Sequence, residues 1–154
     1  MAREDFSFFH PLRVRWAEVD MQGVVFNAHY LAFFDAALTE YWAALTGARN
    51  AEGDGVFEHM YVVRSVIDYH APARFDDVLD IGVRIARMGR ASMTCHFEIH
   101  RGREHLITGE TVYVHAIDGT STPFPGDFRG KVAAFETTPG LVEAPLVAGM
   151  AYLP

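Results

Sequence analysis

One stretch of this chain limits its fold more than any other. Between Asn27 and Gly47, Leu31, Phe34, Leu38, Tyr41/Trp42 and Leu45 recur at steps of three and four residues, the period of a helix. Asn27 is a good N-cap and Gly47 a good terminator, so the pattern predicts a helix running between them. Only Asp35 and Glu40 interrupt its apolar surface, and burial on more than one side is therefore expected. Such a helix needs a cover, and the rest of the chain has to supply it.

The flanks read as that cover. Ahead of the helix, Leu12, Val14 and Trp16 alternate with Arg13 and Arg15, the pattern of a half-buried strand. Behind it, Tyr61–His70 is β-branched and aromatic. Leu79, Ile81, Val83 and Ile85 then alternate with Asp80, Gly82 and Arg84, and Met93, Cys95, Phe97 and Ile99 with polar partners. Ile107–Ile117 forms a last long strand, and Met88-Gly89-Arg90 and Arg101-Gly102-Arg103 mark turns. The expected class is α+β, an antiparallel β-sheet wrapped around one long central helix. A chain of 154 residues has room for one such domain. At Thr137 the composition changes, and Glu143 is the only charged residue from there on. Residues 1–136 read as the domain, and 137–154 as a C-terminal extension lying on its own domain or on a neighbouring subunit.

Composition removes several function classes. With 50% hydrophobic and 21% charged residues the chain is not intrinsically disordered. A net charge of −7 argues against a general grip on nucleic acid. Cys95 is the single cysteine, so no intrachain disulfide is possible and a reducing, cytoplasmic setting is expected. No run of about 18 apolar residues suggests a membrane span, and the first residues lack the basic-then-apolar order of a signal peptide. Twelve of the thirteen basic residues are arginine, and several gather between Arg84 and Arg103. Arginine grips phosphate with a planar fork of donors, so this stretch is where an acidic chain would hold an anionic ligand.

The segment Val14-Arg15-Trp16-Ala17-Glu18-Val19-Asp20-Met21-Gln22-Gly23-Val24-Val25-Phe26-Asn27-Ala28-His29-Tyr30-Leu31 resembles the entry motif of the hotdog-fold acyl-CoA thioesterases. The nearest groups are 4-hydroxybenzoyl-CoA thioesterase and the short-chain acyl-CoA thioesterases encoded beside the Tol–Pal genes. Their D-x-x-G-x-V motif is matched by Asp20, Gly23 and Val25, followed by Phe26 and Tyr30 in register. The likeness continues through Phe34-Asp35-Ala36-Ala37, Tyr69–Leu79 with its Pro72-Ala73-Arg74-Phe75-Asp76-Asp77 run, the arginine-bearing turn before Ser92, and Glu110–Val114. It spans roughly Phe8 to Phe135. Two positions depart from the Tol–Pal-linked group, which usually carries His where this chain has Asn27 and Arg where it has Leu38. The 4-hydroxybenzoyl-CoA enzyme also lacks that His and works through the aspartate alone. The resemblance thus implies a thioesterase with the simpler site, and gives His29 no part in it.

The resemblance implies a hydrolysis of acyl-CoA to free acid and coenzyme A, with Asp20 as nucleophile or general base. Residue by residue, the backbone amide of Asn27 is expected to polarise the thioester carbonyl, and Gly23 to let the backbone approach the substrate. Arg87, Arg90 and Ser92, with Arg74 behind them, are expected to hold coenzyme A across a subunit interface. Phe33, Phe34, Phe57 and Met60 are expected to line the acyl pocket. Asp35 and Glu40 are rival carboxylates, Asp35 being the second choice. No cofactor is implied. A homodimer or homotetramer with active sites at its interfaces is expected, because a sheet with one helix leaves an edge and a face uncovered.

His96, Glu98 and His100 share a strand face at two-residue spacing, but neighbours on one face lie almost 7 Å apart, which argues against convergence on one metal ion. No metal is expected. The alternative function is a non-catalytic hotdog module that binds an acyl-CoA and reports it to a partner. A hydratase reading would need a His–acid motif that is not found.

Overall fold

The computed structural model describes residues 3–47 and 55–136, with the backbone of 142–143. The alternating segments become five main strands: β1 (Phe9–Arg13), β2 (Met60–Tyr69), β3 (Val78–Met88), β4 (Ser92–Arg101) and β5 (Glu104–Ile117). All five pair antiparallel in the order β1-β3-β4-β5-β2. Two short strands, β6 (Thr120–Ser121) beside β5 and β7 (Val142–Glu143) parallel to β3 at Arg87–Met88, complete the sheet. Strand β7 is the only described part of the expected 137–154 extension; the rest lies outside the described residues. Helix α1 (His29–Thr46) lies in the curve of the sheet, as the sequence pattern predicts.

Odd-numbered residues of β4 face α1, as do those of β5 from Ile107 on; a register shift after Ile99 puts His105 opposite His100, on the other face. Phe34 stacks on Phe97 with ring centroids 4.4 Å apart and planes 13° from parallel. Gly109, opposite Phe97 on β5, makes this stack possible: a Cβ there would come within 2.4 Å of the Phe34 ring. A second helix, α2 (Phe128–Phe135), closes the far end of α1, with Phe128 stacked on Trp42 at 5.1 Å. Just beyond it the Tyr41 hydroxyl donates to the buried Glu136, whose Oε1 also accepts the Ile85 N–H at 2.8 Å. Burial pushes the Glu136 carboxyl up from the usual carboxylate range, and these two donors pull part of the way back.

Three expectations need correction. The first strand stops at Arg13; Trp16 sits in the following 3-10 turn, exposed and edge-on to Phe75 rather than in the core. Helix α1 begins at His29 with Ala28 at its N-cap position, so Asn27 is not the cap. Nor is the helix buried on more than one side. Tyr30, Phe33, Phe34, Ala37, Leu38, Tyr41 and Trp42 are buried, while Leu31, Ala32, Asp35 and Ala36 face outward. Half of that outward row is alanine, so apolar composition overstated how much of the helix is covered.

A run of exposed apolar residues lies along β2. This strand ends the sheet with one edge unpaired among the described residues, and Tyr61, Val62, Val63, Val66 and Tyr69 are each 38–53% exposed. β3 and β4, in the sheet interior, are mostly buried.

Candidate active site

The acid-bearing loop is a small hairpin closed by an antiparallel bridge between Val19 and Val25. The Asp20 N–H donates to the Val24 carbonyl at 2.9 Å, and the Gly23 N–H donates back to the Asp20 carbonyl at 3.0 Å. Gly23 sits at φ +76°, a conformation that favours glycine. The Asp20 side chain, half-buried, accepts the Gln22 N–H on Oδ1 at 2.8 Å. This Asx turn fixes the carboxylate through one oxygen, and the other has no partner among the described residues. The hairpin is anchored to the chain after β2: the Val25 N–H donates to the Ala73 carbonyl at 2.9 Å, and the Ala73 N–H donates to the Tyr30 hydroxyl at 3.0 Å.

Asn27 follows directly. Its carbonyl accepts the Tyr69 hydroxyl at 3.1 Å, while its N–H has no acceptor among the described residues. The amides ahead of a helix's first turn lack intrahelical partners and carry the positive end of its dipole, so they suit a developing negative charge. The Asn27 amide is available because it has no acceptor among the described residues, whichever residue caps the helix.

The other predicted residues lie elsewhere. Arg87 is exposed one residue before the end of β3, Arg90 is exposed in the β3–β4 turn, and Ser92 starts β4. That turn is held by Gly89 N–H to the Ser92 carbonyl at 2.7 Å and by Arg129 to the Gly89 carbonyl at 2.7 Å. Arg74 is exposed in the loop after β2, next to Ala73 and so beside the acid loop. Phe57 and Met60 line a cavity of about 360 Å³ with Asp35, Leu38, Thr39, Trp42, Val62, Met93 and Tyr113. Phe33 and Phe34 do not line it; both are core residues, at most 2% exposed. Asp35 accepts a hydrogen bond from Tyr113 on the cavity wall. Burial raises its carboxyl from the usual range, and the tyrosine partly offsets the rise.

The candidate residues thus fall into two groups. β3 spans eleven residues between them, and at about 3.3 Å per residue the groups stand roughly 35 Å apart. Asp20, Gly23, Asn27 and Arg74 cluster at the Tyr69 end of the sheet. Arg87, Arg90, Ser92 and the cavity cluster at the Met60 end.

Sequence reasoning missed Tyr69, because its tie to Asn27 depends on how β2 ends against the helix start. It also overstated the separation of Glu98 and His100, whose side chains meet at 2.8 Å, Glu98 Oε2 to His100 Nε2. Long side chains lean along the strand and close the gap that backbone spacing leaves.

A family model described as the thioesterase superfamily matches residues 22–108, more than half of the chain. An acyl-CoA thioester hydrolase of Escherichia coli O157:H7, YbgC, is 33% identical over 119 residues, covering 72% of this chain and 82% of its own length. Among solved structures, a thioesterase of Thermus thermophilus, complexed with coenzyme A and zinc, is 28% identical with a TM-score of 0.78, over 88% of this chain and 98% of that one. The PA5185 protein of Pseudomonas aeruginosa PAO1 is 30% identical with a TM-score of 0.74, covering 86% and 94%.

Proposed function

The chain belongs to the thioesterase superfamily, with the hotdog fold of that group, and on this premise we propose that it hydrolyses acyl-CoA thioesters with Asp20 as the reacting carboxylate. One observation carries the reading: a carboxylate pinned through one oxygen, with the other free, on a rigid hairpin that leads into an open helix-start amide. The acyl carbonyl sits against the Asn27 N–H, which takes up negative charge as the carbonyl carbon becomes tetrahedral. A donor preorganised in this way is typically worth about 2.7–4 kcal/mol of barrier. The free oxygen of Asp20 either attacks the carbonyl carbon, expelling the CoA thiolate to leave an anhydride that water cleaves, or takes a proton from water as that water attacks. Both routes end in free acid and coenzyme A.

The site is shared between two protomers. Antiparallel pairing of two exposed β2 edges about a two-fold axis sets the Tyr69 end of one chain beside the Met60 end of the other. That places Asp20 and Asn27 of one protomer near the cavity, Arg87 and Arg90 of its partner. The cavity takes the acyl group and the arginines take the phosphates of coenzyme A.

The test is a panel of acyl-CoAs assayed for free thiol. Wild type releases coenzyme A from at least one of them. Asp20→Asn retains fold and binding but loses about 10²–10⁴-fold in kcat. Tight binding with no release by wild type would favour the non-catalytic module, and a fully active Asp20→Asn would remove Asp20 from the chemistry.

A further inference from the structure

On the sheet face turned away from α1, we propose that Glu98, His100 and His105 form a binding site for a divalent transition-metal ion of the zinc class. Glu98 and His100 stand two residues apart on β4, and His105 lies opposite His100 in the β4–β5 register. One donor atom from each falls within 4.8 Å of the others. Three donors around an ion at about 2.0–2.1 Å sit roughly 3.4 Å apart, so closing the site takes side-chain shifts of about an ångström.

The polar atoms already here are short of partners. Glu98 and His100 are 2% and 4% exposed, yet Glu98 Oε1 and His100 Nδ1 have no hydrogen-bond partner among the described residues. Buried carboxylates and imidazoles without partners are costly, and a bound cation satisfies a carboxylate and an imidazole lone pair together. The His105 ring stacks on His100 at 4.9 Å with planes 18° apart. Its Nε2 lies 2.9 Å from the Ile107 carbonyl, to which it donates in the Nε2–H tautomer, leaving the Nδ1 lone pair for a metal. Thr108 Oγ1 stands 3.1 Å from that Nε2 and 2.9 Å from His70 Nε2, bracing the ring from behind.

Two imidazoles and one carboxylate select zinc-class ions over magnesium or calcium, which prefer all-oxygen shells. The role is structural. The ion would clasp the turn end of the β4–β5 hairpin, on the sheet face turned away from the helix.

The experiment titrates chelator-stripped protein with Zn²⁺ against a chromophoric chelator, and records the visible spectrum with Co²⁺. Wild type binds one ion per chain at micromolar free Zn²⁺ or below, gives the intense bands of a tetrahedral Co²⁺ site, and melts at a higher temperature with Zn²⁺. Losing an outer partner usually weakens metal binding about 10–100-fold. Thr108→Val therefore falls in that range, His105→Gln weakens binding more than a hundred-fold, and His10→Gln changes nothing. Should His105→Gln fail to fold, the Thr108→Val affinity and the wild-type Co²⁺ spectrum decide. Absence of stoichiometric binding by wild type, unchanged binding in both site variants, or equal loss in His10→Gln overturns the proposal.

Discussion

The two ends of the sheet are built differently. The Tyr69 end is rigid and polar: Asp20 is fixed by the Gln22 amide, the loop is tied to Ala73, and Asn27 is tied to Tyr69. The Met60 end is hollow and basic, with a cavity walled by Trp42, Phe57 and Met60 and a turn carrying Arg87 and Arg90. In the proposed reading one end reacts and the other binds, and the length of β3 keeps the two ends apart within one chain. The bare β2 edge offers a way to bring unlike ends together, since antiparallel pairing of that edge with a second copy sets each reactive end against a binding end.

Breaking the edge has the largest expected effect. Val63→Lys combined with Val66→Lys puts charges on the unpaired strand, which meet like charges near the two-fold axis. The expected result is a folded monomer in sedimentation with turnover at background. An active monomer would mean that one chain holds a whole site.

Weakening only the binding end has a smaller and different effect. Hydrogen bonds to charged groups are worth about 1.5–3 kcal/mol each, so Arg87→Ala or Arg90→Ala raises KM for acyl-CoA about 10–100-fold. Steady-state kinetics should show kcat nearly unchanged, and with truncated thioesters that lack the nucleotide the variants should match wild type. A fall in kcat at constant KM would move these arginines into the chemistry.

The smallest effect lies outside both ends. Glu136 carries a carboxyl whose folded pKa is raised above its unfolded value by burial. Its stabilising contribution is therefore full below the unfolded pKa and is lost as pH rises through the folded one. Glu136→Gln keeps an uncharged acceptor for Ile85 and Tyr41. Melting temperatures across pH 4–8 should show wild type losing stability relative to the variant as pH rises. Parallel curves would contradict the assignment.

Strand alternation and the helical period made most of this architecture readable in the sequence. β3, β4 and β5 lie where Leu79–Ile85, Met93–Ile99 and Ile107–Ile117 predicted them, because burial on one face enforces a period of two. Local signals misled where tertiary contacts decided. Asn27 has cap chemistry, but the chain there is spent on the Tyr69 contact and the helix starts two residues later. Trp16 fits the strand alternation, yet β1 ends at Arg13 and the indole packs on Phe75. Helix α2 went unread because Phe128 and Val132 alone present too short an apolar pattern. The loop acid and the arginine turn could be singled out from sequence, through a resemblance. Their placement at opposite ends of the sheet could not, since it depends on strand order.

Mixing two variants impaired in different ways tests the shared site most directly. Asp20→Asn keeps a sound binding end, and Arg87→Ala/Arg90→Ala keeps a sound reactive end. Refolded together at equal amounts and assayed at a substrate level well below KM, half of the dimers are mixed and each holds one intact site, so activity should return to about a quarter of wild type. If the mixture shows only the average of its two parents, each chain carries its own complete site and the account of a shared one is wrong.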